Sequence, residues 1–299
     1  MKGWKSWKSW KSWKAGRVGR VGKVGRVGRV GKVGKVGRVG KRKVECKGGI
    51  VLVFARLFKR AIEFILCIVF PPKCIFCNTL LPLKTEIEIC DRCYKSVPFI
   101  KGKVCSKCGQ PIHTPYGPEQ CIDCRKTFHY FEQGTSVFEY KGVVREALVR
   151  YKFFGKKRYS KTLGKLMAIE LKEMKNWPIF DIIVYTPLYR KKLLTRGYNQ
   201  AELLAKVIAK ELGCSVGKNI LCKTKDTLPQ STLSKYERRK NVKGAFAICA
   251  VQYFNNMNVL LVDDVYTTGA TVNECARLLK KRHAKSVYVV TAAIGQGYI

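Results

Sequence analysis

The stretch Asn258-Val259-Leu260-Leu261-Val262-Asp263-Asp264-Val265-Tyr266-Thr267-Thr268-Gly269-Ala270-Thr271 decides how this chain is read. Residues 258–262 form a short, largely apolar run with β-branched side chains, which predicts a buried parallel strand ending at Asp263-Asp264. A loop follows, then a helical pattern from Val272 to Arg282 and a final strand from Ser286 to Ala292. Strand, loop, helix and strand make a βαβ unit, whose functional groups are expected at the carboxyl end of the first strand.

The loop suits one kind of ligand. Thr hydroxyls and successive N–H groups at a helix N-terminus cradle a phosphate, and Gly269 lets the backbone come close or take positive φ. The carboxylates of Asp263 and Asp264 would repel a phosphate they touched. They fit a sugar diol, or a hydrated Mg²⁺ at one remove, so a ribose carrying a 5-phosphate meets both demands. Two other readings stand beside this one. An apolar run ending in Asp-Asp also resembles a Walker B strand, but the chain has no G-x-x-x-x-G-K-[ST] loop. An acidic pair can also simply cap the next helix.

Working outward, Asp181 to Thr186 reads as a strand and Asn199 to Leu212 as an amphipathic helix. Between them a loop with Arg190, Lys191, Lys192 and Arg196 either holds pyrophosphate or is a solvated turn. Residues 228–243, polar and rich in Gln, Ser and Arg, suit a mobile hood that excludes water. Within it, Arg238 and Arg239 are suited to pyrophosphate or to nucleic acid. A helix expected over Val143–Phe153 carries Lys152 at its end, before the basic run Gly155-Lys156-Lys157-Arg158, which by itself reads as a solvated turn. Tyr, Phe and Arg interleave from Phe128 to Phe154, as in single-strand binding surfaces or as in a sheet core.

Eight of the 14 Cys form four Cys-x-x-Cys units: Cys74/Cys77, Cys90/Cys93, Cys105/Cys108 and Cys121/Cys124. Twelve residues separate the first pair from the second, and twelve the third from the fourth. Two thiolates three positions apart can share one metal, and a second knuckle completes a tetrahedral site. Four thiolates leave no open position, so two structural Zn²⁺ ions are expected, each held by sequential pairs, with a crossed arrangement of knuckles as the alternative. Redox disulfides and an iron–sulfur site are the weaker alternatives. Gly109 suits a knuckle turn, and His113 reads as a loop residue. Cys46, Cys67, Cys214, Cys222, Cys249 and Cys275 show no pairing pattern, which suggests a reducing compartment.

The 299 residues carry 59 Lys and Arg against 20 Asp and Glu, a formal charge of +39. Residues 1–47 hold 17 of the basic residues and one acid, Glu45, so the other 252 residues still carry +23. This charge argues for a polyanionic partner. A content of 46% apolar and 11% aromatic residues excludes wholesale disorder. No stretch reaches about 18 uncharged apolar residues, so no spanning helix is expected. The Lys-Ser-Trp and Gly-(Arg/Lys)-Val repeats of residues 5–39 fit neither helical nor strand periodicity, and 1–49 reads as disordered. It is a nucleic-acid-binding arm, an idle tail or, as favoured here, translated upstream repeat DNA, with Val51, Leu52 and Val53 as codable alternative starts. Residues 50–72 read as an amphipathic helix, packed on the next domain or resting on a membrane or partner surface.

The string from Val259 to Thr271 resembles the phosphoribosyl-pyrophosphate (PRPP) signature of type I phosphoribosyltransferases, and four knuckles ahead of such a domain resemble the ComF family of bacterial competence proteins. Phe70-Pro71-Pro72-Lys73-Cys74, Arg196-Gly197-Tyr198-Asn199-Gln200-Ala201, and Gln230-Ser231 with Arg238, Arg239, Asn241 and Val242–Phe246 agree with that family. Tyr185-Thr186-Pro187-Leu188 departs from its usual Pro-Val-Pro-Leu. The resemblance covers residues 60–293. It implies a type I phosphoribosyltransferase-like α/β fold: a mostly parallel sheet flanked by helices at 129–299, preceded by a small double zinc ribbon at 73–128.

The resemblance also implies roles. Lys152, Arg190, Arg196, Asp263, Asp264, Thr267, Thr268, Gly269, Ala270 and Thr271 would bind PRPP with Mg²⁺. Asp263 and Asp264 would hold the ribose hydroxyls and stabilise positive charge on the ring carbon, while Gln230, Arg238, Arg239 and Asn241 would belong to the mobile loop. Two function classes stay open: a competence protein that handles imported single-stranded DNA and binds PRPP, or a transferase that moves ribose 5-phosphate to an unidentified nucleophile. Expected partners are PRPP, single-stranded DNA, and a competence helicase or other DNA-uptake protein. The expected location is cytoplasmic, at the inner face of the membrane.

Overall fold

Thiolate knuckles fold because a turn brings two Sγ atoms to one side, and among the described residues four such turns come before any long element. The computed structural model describes residues 71–114, 116–228, 234–250 and 254–295. The expectation for 1–49, residues 50–70 of the expected 50–72 helix, and Gln230 and Ser231 lie outside them. The first knuckle is closed by the Cys74 N–H donating to Thr79 O (2.8 Å) and the Asn78 N–H to Cys74 O (2.9 Å). Its partner knuckle opens helix α1 (Asp91–Ser96), with Cys90 as N-cap. The third knuckle turns at Gly109, whose φ is +76° and where an added Cβ would sit 2.7 Å from Gly134 O. The fourth opens helix α2 (Ile122–Lys126), with Cys121 as N-cap.

Strand β1 (Gln133–Glu139), helices α3 (Gly142–Phe153) and α4 (Tyr159–Glu173), and strand β2 (Ile182–Tyr185) follow. Then come α5 (Arg190–Arg196), α6 (Gln200–Leu212), β3 (Ser215–Val216), β4 (Leu221–Lys223), α7 (Lys235–Val242) and β5 (Phe246–Ile248). The described chain closes with β6 (Asn258–Tyr266), α8 (Ala270–Lys281) and β7 (Ser286–Ile294). Five strands make a parallel sheet in the order β1-β7-β6-β2-β3, while β4 and β5 pair antiparallel outside it. From β2 the chain crosses outward to β3; from β6 it crosses the other way to β7. The topological switch therefore falls between β2 and β6, where open α/β sheets bind ligands at the carboxyl ends of their strands.

The ribbons pack on this domain. Arg150 of α3 donates to Ile75 O (3.1 Å) and Phe76 O (2.8 Å), and Arg158 pairs with buried Glu88 at 2.8 Å. Phe76 and Phe99 stack against Phe138 of β1. Ile100 N–H donates to Val137 O, and Glu139 N–H to Pro98 O, so the inter-ribbon linker covers the β1 edge. Cys105, Cys108 and Cys124 join Phe131, Tyr266 and Val272 in one buried cluster.

Several local expectations are corrected. Residues 190–196 are a helix rather than a loop: Arg, Lys and Leu are good helix formers, and Gly197 ends the helix at φ +74°. The hood contains α7, started by a capping box in which Ser234 and Glu237 bond each other's backbone N–H. Strand β6 continues through the acidic pair to Tyr266, and β7 to Ile294, because both keep pairing in register to their ends. Cys222 and Cys249, 27 residues apart, form a disulfide, since the β4–β5 pairing brings them together across the base of the hood. A lack of regular spacing among the remaining Cys was therefore no guide to pairing.

Candidate functional site

Register builds the site. Tyr185 of β2 lies opposite Val262 of β6, so the residues one step on, Thr186 and Asp263, meet at the switch point. Thr186 Oγ1 donates to Asp263 Oδ1 at 2.7 Å, and the Asp264 N–H donates to the same oxygen at 2.8 Å. Alternation along β6 sends Asp263 and Asp264 to opposite faces. Asp264, 8% exposed, meets Lys152 Nζ from the end of α3 at 3.1 Å.

Charges at this strand end are strongly coupled. Burial, and then the neighbouring Asp264 carboxylate, push Asp263 up to about 7, against the hydrogen bonds from Thr186 and Asp264 N–H. Burial works to lower the Lys152 pKa, but the adjacent Asp264 outweighs it and holds the ammonium above its ordinary value. Lys152 is thus the counter-ion of the acidic pair.

The loop Thr267–Thr271 leads into α8 through Gly269, at φ +72°. A Cβ there would collide with the Tyr266 ring, so glycine is required on two counts. Thr268 Oγ1 accepts from the Ala270 N–H at 3.4 Å. The helix N-terminus and its positive dipole end lie directly after the acidic pair, which supplies a place for an anion next to a place for hydroxyls or a cation.

The Arg196–Ala201 stretch braces this constellation. Tyr198 OH donates to Tyr151 O, and Gln200 Nε2 donates to Lys152 O at 3.4 Å. Asn199 caps α6 through Ala201 N–H (3.0 Å) and donates to Thr186 O at 2.9 Å. Arg196 lies over the Phe153 ring, 4.9 Å from its centroid. Arg190 is exposed at the start of α5.

Of the two hood arginines, Arg239 turns toward the ribbon rather than the acidic pair. Arg239 donates to Thr127 Oγ1 at 2.7 Å, beside the second ribbon. Asn241 closes the base of the hood, accepting from Leu228 N–H (3.2 Å) and donating to Leu228 O (3.0 Å). Arg238 is half-buried on α7. Sequence reading missed Lys223: its Nζ donates to Thr227 Oγ1 at 2.6 Å, while Lys192 Nζ donates to Thr227 O at 2.9 Å. Burial, and then Lys192, lower the Lys223 pKa, against Asp226 and Asp263. Two ammonium groups, from α5 and β4, thus meet at Thr227; Lys192 also pairs with Asp226 Oδ1 at 3.2 Å, and Lys223 feels Asp263. No local signal marks Lys223; only the fold brings it there.

The cysteines gather as two tetrads, Cys74/Cys77/Cys90/Cys93 and Cys105/Cys108/Cys121/Cys124, each with its Sγ atoms within 4.8 Å of one another. Tetrahedral Zn–S bonds of ~2.3 Å put sulfurs roughly 3.8 Å apart. The 3.5 Å from Cys77 to Cys90 and 3.8 Å from Cys108 to Cys121 fit that geometry. The pairing is sequential, as expected.

Residues 65–125 match the double zinc ribbon domain, and residues 198–296 match the phosphoribosyl transferase domain. DNA utilization protein YhgH of Salmonella typhi is 30% identical over 223 residues, 73% of this chain and 95% of that protein. Competence protein F of Haemophilus influenzae is 29% identical over 221 residues, 73% of this chain and 94% of its own. Competence protein ComFC of Bacillus subtilis is 28% identical over 231 residues, 70% of this chain and 85% of its own. The chain belongs to the ComF family. Its double zinc ribbon supplies the two thiolate tetrads, and its phosphoribosyltransferase-type sheet supplies the strand end that carries Asp263 and Asp264. No helix among the described residues is long and apolar enough to cross a membrane.

Proposed function

We propose that this ComF-family protein binds PRPP with Mg²⁺ at the β2/β6 switch point and handles single-stranded DNA in competence. The observation that carries the first half is the acidic pair on β6, adjoined by Lys152 and followed at once by the Thr267–Thr271 loop and the N-terminus of α8. The 5-phosphate is assigned to that loop. The ribose hydroxyls are assigned to Asp263 and Asp264, and the pyrophosphate to the basic edge of Lys192 and Lys223 with Arg190 and Arg196. Mg²⁺, carried in with pyrophosphate, would neutralise its charge. The second half is supported by the competence and DNA-utilization relatives and by the basic charge of the chain outside its first 47 residues.

Turnover is the second reading. It is favoured by Asp263, whose carboxyl near 7 is matched to taking a proton from an acceptor at neutral pH. Calorimetry with PRPP, with and without Mg²⁺, tests the site, and pyrophosphate release with a nucleobase panel tests turnover. Heat on mixing that requires Mg²⁺ and disappears in Asp263→Asn/Asp264→Asn supports the binding reading; no binding at millimolar PRPP refutes it.

A further inference from the structure

The segment that leaves the second ribbon, Thr127–Phe131, alternates. His129 and Phe131 turn inward and stack at 4.9 Å, while Phe128 and Tyr130 turn outward, 74% and 38% exposed. The two outward rings lie 5.0 Å apart, edge to face. Three bonds fix this segment against the phosphoribosyltransferase-type domain. Arg239 of α7 holds Thr127, and Asn273 of α8 accepts from the Tyr130 N–H (2.7 Å) and donates to Phe128 O (3.1 Å).

Between α7 and α8 lies a cavity of about 480 Å³, with Arg239, Lys243, Ala270, Asn273, Glu274 and Arg277 in its walls. Its one acid is engaged: Glu274 takes two bonds from Arg277 (2.7 and 2.9 Å) and one from the Gly244 N–H (3.2 Å). Arg239 and Lys243 therefore leave the walls positive. Exposed Arg125 and Lys126 of α2 extend the positive surface up to Phe128. Lys152, Asp263 and Asp264 do not line this cavity.

We propose that this seam between ribbon, α7 and α8 is a binding site for single-stranded DNA. Bases stack on Phe128 and Tyr130, and the backbone phosphates lie against Arg125, Lys126, Arg239 and Lys243. Interleaved rings and cations are the surface that single strands need, because base faces are closed off inside a duplex. This inference rests on the DNA-handling reading above and gives that function a place beside the PRPP site, away from the acidic pair and sharing with it Ala270 of the phosphate loop and Arg239 of the hood.

The test uses the full, zinc-loaded chain and fluorescence anisotropy with a labelled oligothymidylate of about 15 nucleotides, near the upper span of one such platform. Phe128→Ala/Tyr130→Ala should weaken binding at least about tenfold, as loss of stacking on two rings requires. Zinc content and PRPP binding should stay as in the parent. Lys243→Gln should weaken binding evenly across sequences and flatten its salt dependence. Should the alanine variant lose zinc, Phe128→Leu/Tyr130→Leu keeps apolar bulk without the π faces and decides the matter by the same measurement. Parental affinity in the folded ring variants overturns the inference and leaves DNA handling standing, with its site elsewhere. Equal affinity for a duplex also overturns it. No binding by the parent at low salt removes both the inference and the DNA-handling reading, while PRPP calorimetry still reports on the other half.

Discussion

Replacing Asp264 by Asn keeps the shape of the side chain and removes the charge that faces Lys152 Nζ at 3.1 Å. Both side chains are mostly buried, 23% exposed for Lys152 and 12% for Asp264. Removing one partner of a buried pair costs ~3–5 kcal/mol when nothing compensates for the remaining charge. Here something does. Asp263 is held near 7 by burial and by the Asp264 charge, so without that charge it ionises more readily and can face Lys152 in its place. The expected loss is therefore about 1–3 kcal/mol, or roughly 2–12 °C in Tm for a chain of this size. Lys152→Met alone leaves two carboxylates without a cation and should destabilise as well. The double variant leaves no unpaired ammonium, so a double-mutant cycle by urea denaturation at neutral pH should return a coupling of at least about 1 kcal/mol. The same Asp264→Asn protein should bind Mg²⁺·PRPP about 1.5–3 kcal/mol more weakly, the worth of one hydrogen bond to a charged group. A coupling below about 0.5 kcal/mol, with Asp264→Asn as stable as the parent, would refute the counter-ion role of Lys152.

Purified protein should contain about two Zn²⁺ per chain, one for each closed four-thiolate site, by elemental analysis; iron, or folded reduced protein without metal, would contradict the tetrads. The Asp263 pKa is raised from 3.8 to about 7, so the native state holds this proton more tightly than the unfolded state does. Its contribution to stability is present below about pH 4 and is lost as pH rises through about 7. Urea midpoints across that window should fall more steeply in the parent than in Asp263→Asn. Thr186→Val is nearly isosteric and removes a donor to the ionised form, so it should carry the Asp263 titration above 7; an unchanged midpoint would show that the 2.7 Å bond has no electrostatic weight.

What the sequence made legible were local patterns. The run 258–262 announces β6 because a strand buried on both faces reads as continuous apolar residues, and the knuckle spacing announces the tetrads because metal geometry is written in short intervals. The capping box at Ser234 and Glu237 was equally local and was a readable signal for α7. The Cys222–Cys249 disulfide, the Lys192–Lys223 edge and the Thr186–Asp263 bond were hidden for another reason. Each joins residues 27, 31 or 77 positions apart, and strand register rather than any nearby pattern sets the meeting. The departure at Tyr185-Thr186 was visible, but its consequence, a donor aimed at the first carboxylate, needed the β2–β6 pairing.

Two carboxylates side by side at the end of a buried strand are unfavourable, and the chain offsets that strain on the charges in three ways. Asp263 keeps a proton near neutrality, Thr186 donates to it, and Lys152 faces Asp264. In the proposed PRPP complex each device would give way to a ligand group: sugar hydroxyls would replace the Thr186 donor, and a cation brought with the pyrophosphate would replace the ammonium. An arriving anion also gives Lys152 a new partner. The exchange works only if Lys152 is aimed correctly in both states, which is what the Arg196–Ala201 stretch provides. Tyr198 holds the Tyr151 carbonyl, Gln200 holds the Lys152 carbonyl, Tyr151 OH donates back to Gln200 O at 2.9 Å, and Asn199 fixes the turn that carries Thr186. Those bonds hold the backbone carbonyls of Tyr151, Lys152 and Thr186, so Tyr198, Asn199 and Gln200 brace the two residues that face the acidic pair.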